Sequence, residues 1–180
     1  AILIALIALT FIGMAFSYEI EDAREERLIS GQSNRYLTEI NALIEDRDYL
    51  GLSYYCRIKG IRYSKTFEQY SRIFDAAREY EQLMQYMDYI FNEDSYMSNE
   101  DTIEYLVQSI ERIYSLNNPE EYEIEKYYND TVYSYIADVT EQTEAVLKGY
   151  FNLSDEDMKE FWKLNKARKQ VLLEEGLNED

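Results

Sequence analysis

Histidine is absent from this chain of 180 residues, and cysteine and proline each occur only once. Histidine is the commonest side-chain base near neutral pH and the commonest transition-metal ligand. Its absence excludes Ser-His and Cys-His nucleophile pairs and His-containing zinc sites. The lone Cys56 forms no intrachain disulfide, and the general burial habit of cysteine reads it as a core filler rather than a reactive thiol. Bases are scarce: 18 Lys and Arg stand against 36 Asp and Glu, a net charge of -18. Such a surface repels phosphate and speaks against nucleic acid as a partner. No segment alternates apolar and polar residues as a half-buried strand does, and no motif implies a cofactor.

What is present is apolar and aromatic. Hydrophobic residues make up 46% and aromatic residues 15%, enough for one folded domain with a sizeable core. The first sixteen residues carry no charge and include Ile2, Leu3, Ile4, Leu6, Ile7, Leu9, Phe11, Ile12 and Phe16. As a helix they reach about 24 Å, somewhat short of a hydrocarbon core of about 30 Å. No Met and no basic cluster precede them, so the expectation is that the natural chain extends upstream. Residues 1–17 are expected to be a retained transmembrane signal anchor in contact with the lipid bilayer, although Gly13-Met14-Ala15 resembles a cleavage site. A pilin-type helix fits less well, because Ala5 stands where a glutamate is usual. The first charges after the run are Glu19, Glu21 and Asp22, which predicts residues 18–180 outside the cytoplasm in a single-pass protein of the cell membrane.

Past this run the apolar spacing is helical. Residues 17–30 continue a helix up to Gly31. Tyr36, Leu37, Ile40, Leu43 and Ile44 form one stripe, which Leu50, Tyr54, Ile58 and Ile61 extend, as one helix or two. From Lys65 to Asn92, Phe67, Tyr70, Phe74, Ala77, Tyr80, Met84, Met87 and Phe91 step by threes and fours. Ser98 with Asp101 predicts a capped start for a helix burying Ile103, Leu106, Val107, Ile110, Ile113 and Tyr114. Asn118-Pro119-Glu120-Glu121 predicts a second start, with a long helix running toward Lys148, burying Tyr128, Val132, Tyr135, Val139 and Val146, and stopping near Gly149. Ser154 with Asp157 opens a last helix carrying Met158, Phe161, Trp162, Leu164, Val171 and Leu172, with a stop at Gly176. The expected fold is all-α, a multi-helix bundle or stacked helical hairpins behind an N-terminal transmembrane helix. Tetratricopeptide spacing is not met, since no second copy appears at a fixed period.

Charge is segregated. From Asp75 to Leu147 there are 18 acids and three bases (Arg78, Arg112, Lys126), a net of -15. The chain up to Phe74 nets -1 and the remainder -2. This region reads as a solvated face, or as a docking surface for a basic partner or for weakly held divalent cations. Asn92-Glu93-Asp94 and Asn99-Glu100-Asp101 do not meet an EF-hand register. The basic run Arg57, Lys59, Arg62, Lys65 and Arg72 is expected to pair with the acidic helices, or to face lipid headgroups or a partner. Tyr54, Tyr55, Tyr63, Tyr127 and Tyr128 lie in tyrosine-rich stretches, and adjacent pairs on one helix cannot both face inward. With Arg57, Lys59 and Arg62 they form the candidate partner surface.

Three functions fit these residues. The first is a non-catalytic, membrane-anchored accessory subunit whose body binds a partner protein, such as an integral membrane protein. The alternative is a ligand-sensing helical domain of a receptor, and the third is a carboxylate-dependent enzyme.

Overall fold

The computed structural model describes residues 18–92, 99–117 and 127–174. They form α1 (residues 18–31), α2 (Ser33–Glu45), α3 (Tyr49–Lys59), a 3-10 turn (Lys65–Tyr70), α4 (Ser71–Phe91), α5 (Asn99–Ser115), α6 (Asp130–Phe151) and α7 (Asp155–Glu174). The fold is an all-helical bundle, as the apolar spacing predicts, and no strand occurs among the described residues.

The membrane expectation needs correction. No helix among the described residues is long and apolar enough to cross a bilayer. The 21 residues of α4 and 22 of α6 have the length, but both carry charge along one side and bury the other in protein. The expectation of a single-pass, signal-anchored protein of the cell membrane is therefore overturned. Residues 1–17, with Ile2, Leu3, Ile4, Leu6, Ile7, Leu9, Phe11, Ile12 and Phe16, lie outside the described residues, as do 93–98 with the Ser98 cap and 118–126 with the Asn118-Pro119 start.

Helix α4 is the hub, packing on α3, α5, α6 and the 3-10 turn. A helix enclosed by neighbours buries more than one stripe, and Ile73, Phe74, Ala76, Ala77, Tyr80, Leu83 and Met87 are all buried. Each large side chain there stabilises the fold by about 1.5–3 kcal/mol through loss of hydrated apolar surface. The core continues through Ile40, Leu52, Ile61, Phe67, Ile110, Ile113, Ile136 and Val139. Phe91, expected inside, is 52% exposed beyond the last packed turn and meets the rings of Tyr150 and Phe151. Ile103, Leu164 and Val171 are likewise exposed.

Local chemistry sets the boundaries. Between α2 and α3 the chain turns through Arg47, whose φ of 54° is left-handed, and the Asp48 carboxylate then accepts the Gly51 N–H at 2.8 Å. That cap lies so close to Gly51 that a Cβ there would collide with it. The α2 stripe therefore does not continue in phase: α3 buries Tyr49, Leu52, Ser53 and Cys56, while Leu50, Tyr54 and Ile58 face out. Gly60, at φ 65°, ends α3 in a Schellman motif, its N–H donating to Arg57 O and that of buried Ile61 to Cys56 O. The expected Lys65–Asn92 helix begins instead as a 3-10 turn, because Phe67 (φ -114°, ψ 16°) breaks the α geometry. Asn129 caps α6 through Val132 N–H, so Tyr128 precedes that helix, and the left-handed Asn152 ends it beyond Gly149. Ser154 and Asp157 form the expected reciprocal cap of α7: Asp157 N–H donates to Ser154 Oγ, and Ser154 N–H to Asp157 Oδ2 at 2.8 Å.

Helix α1 differs from the rest. Nearly all its side chains are exposed, and it is held by Ile29 against the core and by one carboxylate. Glu26 Oε1 accepts from Ser64 Oγ (2.9 Å), Thr66 N–H (2.9 Å) and Thr66 Oγ1 (2.6 Å), so it caps the 3-10 turn from another helix.

Candidate functional site

Helices α3 and α4 form an antiparallel hairpin, and its polar pairs run in order. Ser53 Oγ donates to Glu81 at 2.7 Å, Arg57 meets Glu81 at 3.0 Å, and Arg62 meets Asp75 at 2.8 Å. Arg72 adds a second guanidinium to Asp75 at 3.3 Å. Much of the basic run thus meets carboxylates of the acidic α4, one of the two arrangements expected for it.

Between these helices opens a cleft of about 380 Å³, lined among others by Cys56, Arg57, Arg62, Tyr63, Phe74, Arg78, Glu81 and Gln82. Its floor is apolar: Cys56 and Phe74 are 2% and 1% exposed. Burial pushes the Cys56 thiol up to about 12, with only a partial opposing effect from Arg62, so the sulfur stays protonated and neutral at physiological pH. This is the core-filler behaviour expected from the general burial habit of cysteine.

Among the described residues the cleft walls carry three guanidinium groups and one carboxylate, Glu81, which is already engaged by Arg57 and Ser53. Arg78 reaches Glu79 only at 3.7 Å, beyond hydrogen-bond distance. Glu79 is itself buried; burial raises its carboxyl pKa, with Arg112, Arg78 and Arg62 opposing that rise. Two buried polar atoms on cleft side chains, Arg62 Nε and Gln82 Oε1, have no hydrogen-bond partner among the described residues.

The sequence-nominated surface residues divide between two faces. Arg57, Arg62 and Tyr63 line the cleft, and Tyr63 is 82% exposed with the Arg62 guanidinium 5.0 Å from its ring centre. A neighbouring hollow brings Tyr127 to Arg62 and Tyr63. Tyr54 is on the outer face of α3 beneath Arg57, while Tyr55 turns inward on Tyr36 with Lys59 Nζ 6.0 Å from its ring centre. Tyr128 stands apart, donating to Leu116 O at 3.1 Å and packing on Tyr133. Tyr127 and Tyr128 do not share an α-helix, so the facing argument holds for Tyr54 and Tyr55 but not for them. Sequence reasoning missed the contributions of Phe74, Arg78, Glu81 and Gln82. Arg78 did leave a signal, as one of three bases in the acidic region.

No cluster of three or more His, Cys, Asp or Glu side chains among the described residues is placed to hold a metal ion. The geometry defines a helical-bundle protein with a guanidinium-lined cleft and an exposed apolar face on the same helix hairpin. Comparison of the chain with protein-family models, with curated protein sequences and with solved structures gives no match.

Proposed function

We propose that this chain is a non-catalytic interaction protein whose helical body binds a partner protein through the outer face of α3. The observation that carries this reading is a row at i, i+4 and i+8: Leu50, Tyr54 and Ile58 are 44%, 58% and 59% exposed. Residues so spaced share one side of a helix and are the anchors by which a helix seats in a partner's groove. An apolar row facing water has a hydration cost that a partner removes. Arg57 and Lys59 flank the row, and α3 itself contains no acid in a chain of net charge -18. The complementary partner therefore presents an apolar groove with an acidic rim. Arg57 over Tyr54, 5.6 Å from its ring centre, supplies a rigid amphipathic contact of the kind interfaces favour.

The test compares the parent protein with a Tyr54→Glu, Ile58→Glu double variant as bait in extracts of the native host. Both replaced side chains are exposed, so the variant should keep the parent melting temperature. The parent should recover a stoichiometric partner that the variant loses. Recovery of the same partner by both proteins, or of no stoichiometric partner by the parent, would refute this reading.

A further inference from the structure

We infer that the cleft between α3 and α4 is a binding site for a small organic acid: a carboxylate on a flat apolar body that also carries a hydroxyl donor. The cleft lies on the hairpin interior rather than on the outer α3 row, so the inference stands independently of the partner-binding reading.

Four observations converge on that chemistry. The volume of about 380 Å³ falls in the range of small-ligand pockets, roughly 300–1,000 Å³. The floor is lined by Phe74 and a protonated Cys56, an apolar surface that suits an apolar group and offers no charge to repel an acid. Among the described residues the walls hold Arg57, Arg62 and Arg78 against a single lining carboxylate, Glu81, whose oxygens are taken by Arg57 and Ser53. Arg78 is left with a 3.7 Å pairing to Glu79 and is the guanidinium best able to turn to a ligand carboxylate. Finally, Arg62 Nε and Gln82 Oε1 are a buried donor and a buried acceptor with no partner among the described residues. Buried polar atoms are seldom left so, because each forfeits hydrogen bonding to water. One molecule bearing both an acid and a hydroxyl group supplies what both side chains lack once they turn toward the cleft, with Arg62 Nε donating to the carboxylate and Gln82 Oε1 accepting from the hydroxyl. An inorganic anion would meet the charge but leave the apolar floor and Gln82 unsatisfied.

The experiment is a calorimetric titration of the whole chain at fixed ionic strength with four probes: 4-hydroxybenzoate, benzoate, phenol and inorganic phosphate. Affinity should fall in the order 4-hydroxybenzoate, benzoate, phenol, with phosphate weakest. Arg78→Gln should weaken both carboxylates about tenfold, the effect of one charge-assisted hydrogen bond, and leave phenol unchanged. Gln82→Leu should abolish the preference for the hydroxyl. Backbone amide shifts in the unmodified protein serve as a control that needs no variant: 4-hydroxybenzoate should move Cys56, Tyr63 and Gln82 together. The inference is overturned if no aryl acid binds at millimolar concentration, if phosphate binds as well as benzoate, if Arg78→Gln changes nothing, or if the shifts fall elsewhere.

Discussion

Replacing Glu26 by alanine tests the carboxylate that ties α1 to the 3-10 turn. Its Oε1 accepts three hydrogen bonds, from Ser64 Oγ, Thr66 N–H and Thr66 Oγ1. A hydrogen bond to a charged group contributes about 1.5–3 kcal/mol net, but these three share one oxygen at a partly solvated site, so their joint loss should cost about 2 kcal/mol. For a domain of this size that is a fall in melting temperature of about 4–8 °C. If α1 detaches before the bundle melts, amide exchange reports the loss instead, and the Thr66 N–H should exchange roughly thirtyfold faster. Burial alone would raise the Glu26 carboxyl; the hydrogen bonds from Thr66, Ser64 and Lys65 outweigh it and hold it below its ordinary 4.5. A depressed carboxyl stabilises the fold fully above the unfolded value, and its contribution is lost as pH falls through the lower folded one. Docking of α1 should therefore weaken below about pH 4.5 in the parent. Glu26→Gln, which keeps an oxygen but no charge, should remove that pH dependence and lie between parent and Ala. A Glu26→Ala variant with parental Thr66 exchange and a melting temperature within about 1 °C would refute the reasoning.

Two further substitutions probe the hub helix. Glu79 has a carboxyl raised by burial against the opposing effect of Arg112, Arg78 and Arg62, so stability should fall as pH climbs from about 4.5 through the folded value and then level off. Glu79→Gln should flatten that fall and be at least as stable as the parent at pH 7, and a lower melting temperature there would show that the arginine pairing dominates. Leu83→Ala removes a fully buried side chain from the hub and should cost about 3 kcal/mol by chemical denaturation. A loss under about 1 kcal/mol would mean that the surrounding side chains close over the void.

Where one periodicity acts alone, the sequence is a good guide. Phe74, Ala77, Tyr80 and Met87 step along the hub and are buried, and Leu106, Ile110 and Ile113 are buried in α5. The Ser154–Asp157 cap was legible because its chemistry is local. The α3 face was not. Apolar residues surround that helix, so periodicity cannot choose between Leu50, Tyr54, Ile58 and Tyr49, Leu52, Cys56. The choice is made by the left-handed turn at Arg47, which resets the phase after α2. The cleft was legible in part. Arg57 and Arg62 stood out as members of a basic run, but Arg78 and Gln82 reach them only because Gly60 folds α4 back along α3. Chain distance hides a juxtaposition that the hairpin creates.

The packing of α7 gives the molecule an optical address. Trp162 is the sole indole among nineteen tyrosines, and its ring lies 3.4 Å, centre to centre, from that of Tyr114 on α5, with Phe161 edge-on beside it. Tyr114 in turn donates its hydroxyl proton to Glu144 on α6. Light absorbed at the red edge of the aromatic band is therefore emitted from a single point where α5, α6 and α7 meet, while circular dichroism weighs every helix alike. The two signals should trace one curve on denaturation only if α7 leaves together with the hub. An indole spectrum that shifts first would mark the C-terminal helix as a separately detachable strap, readable without any added dye.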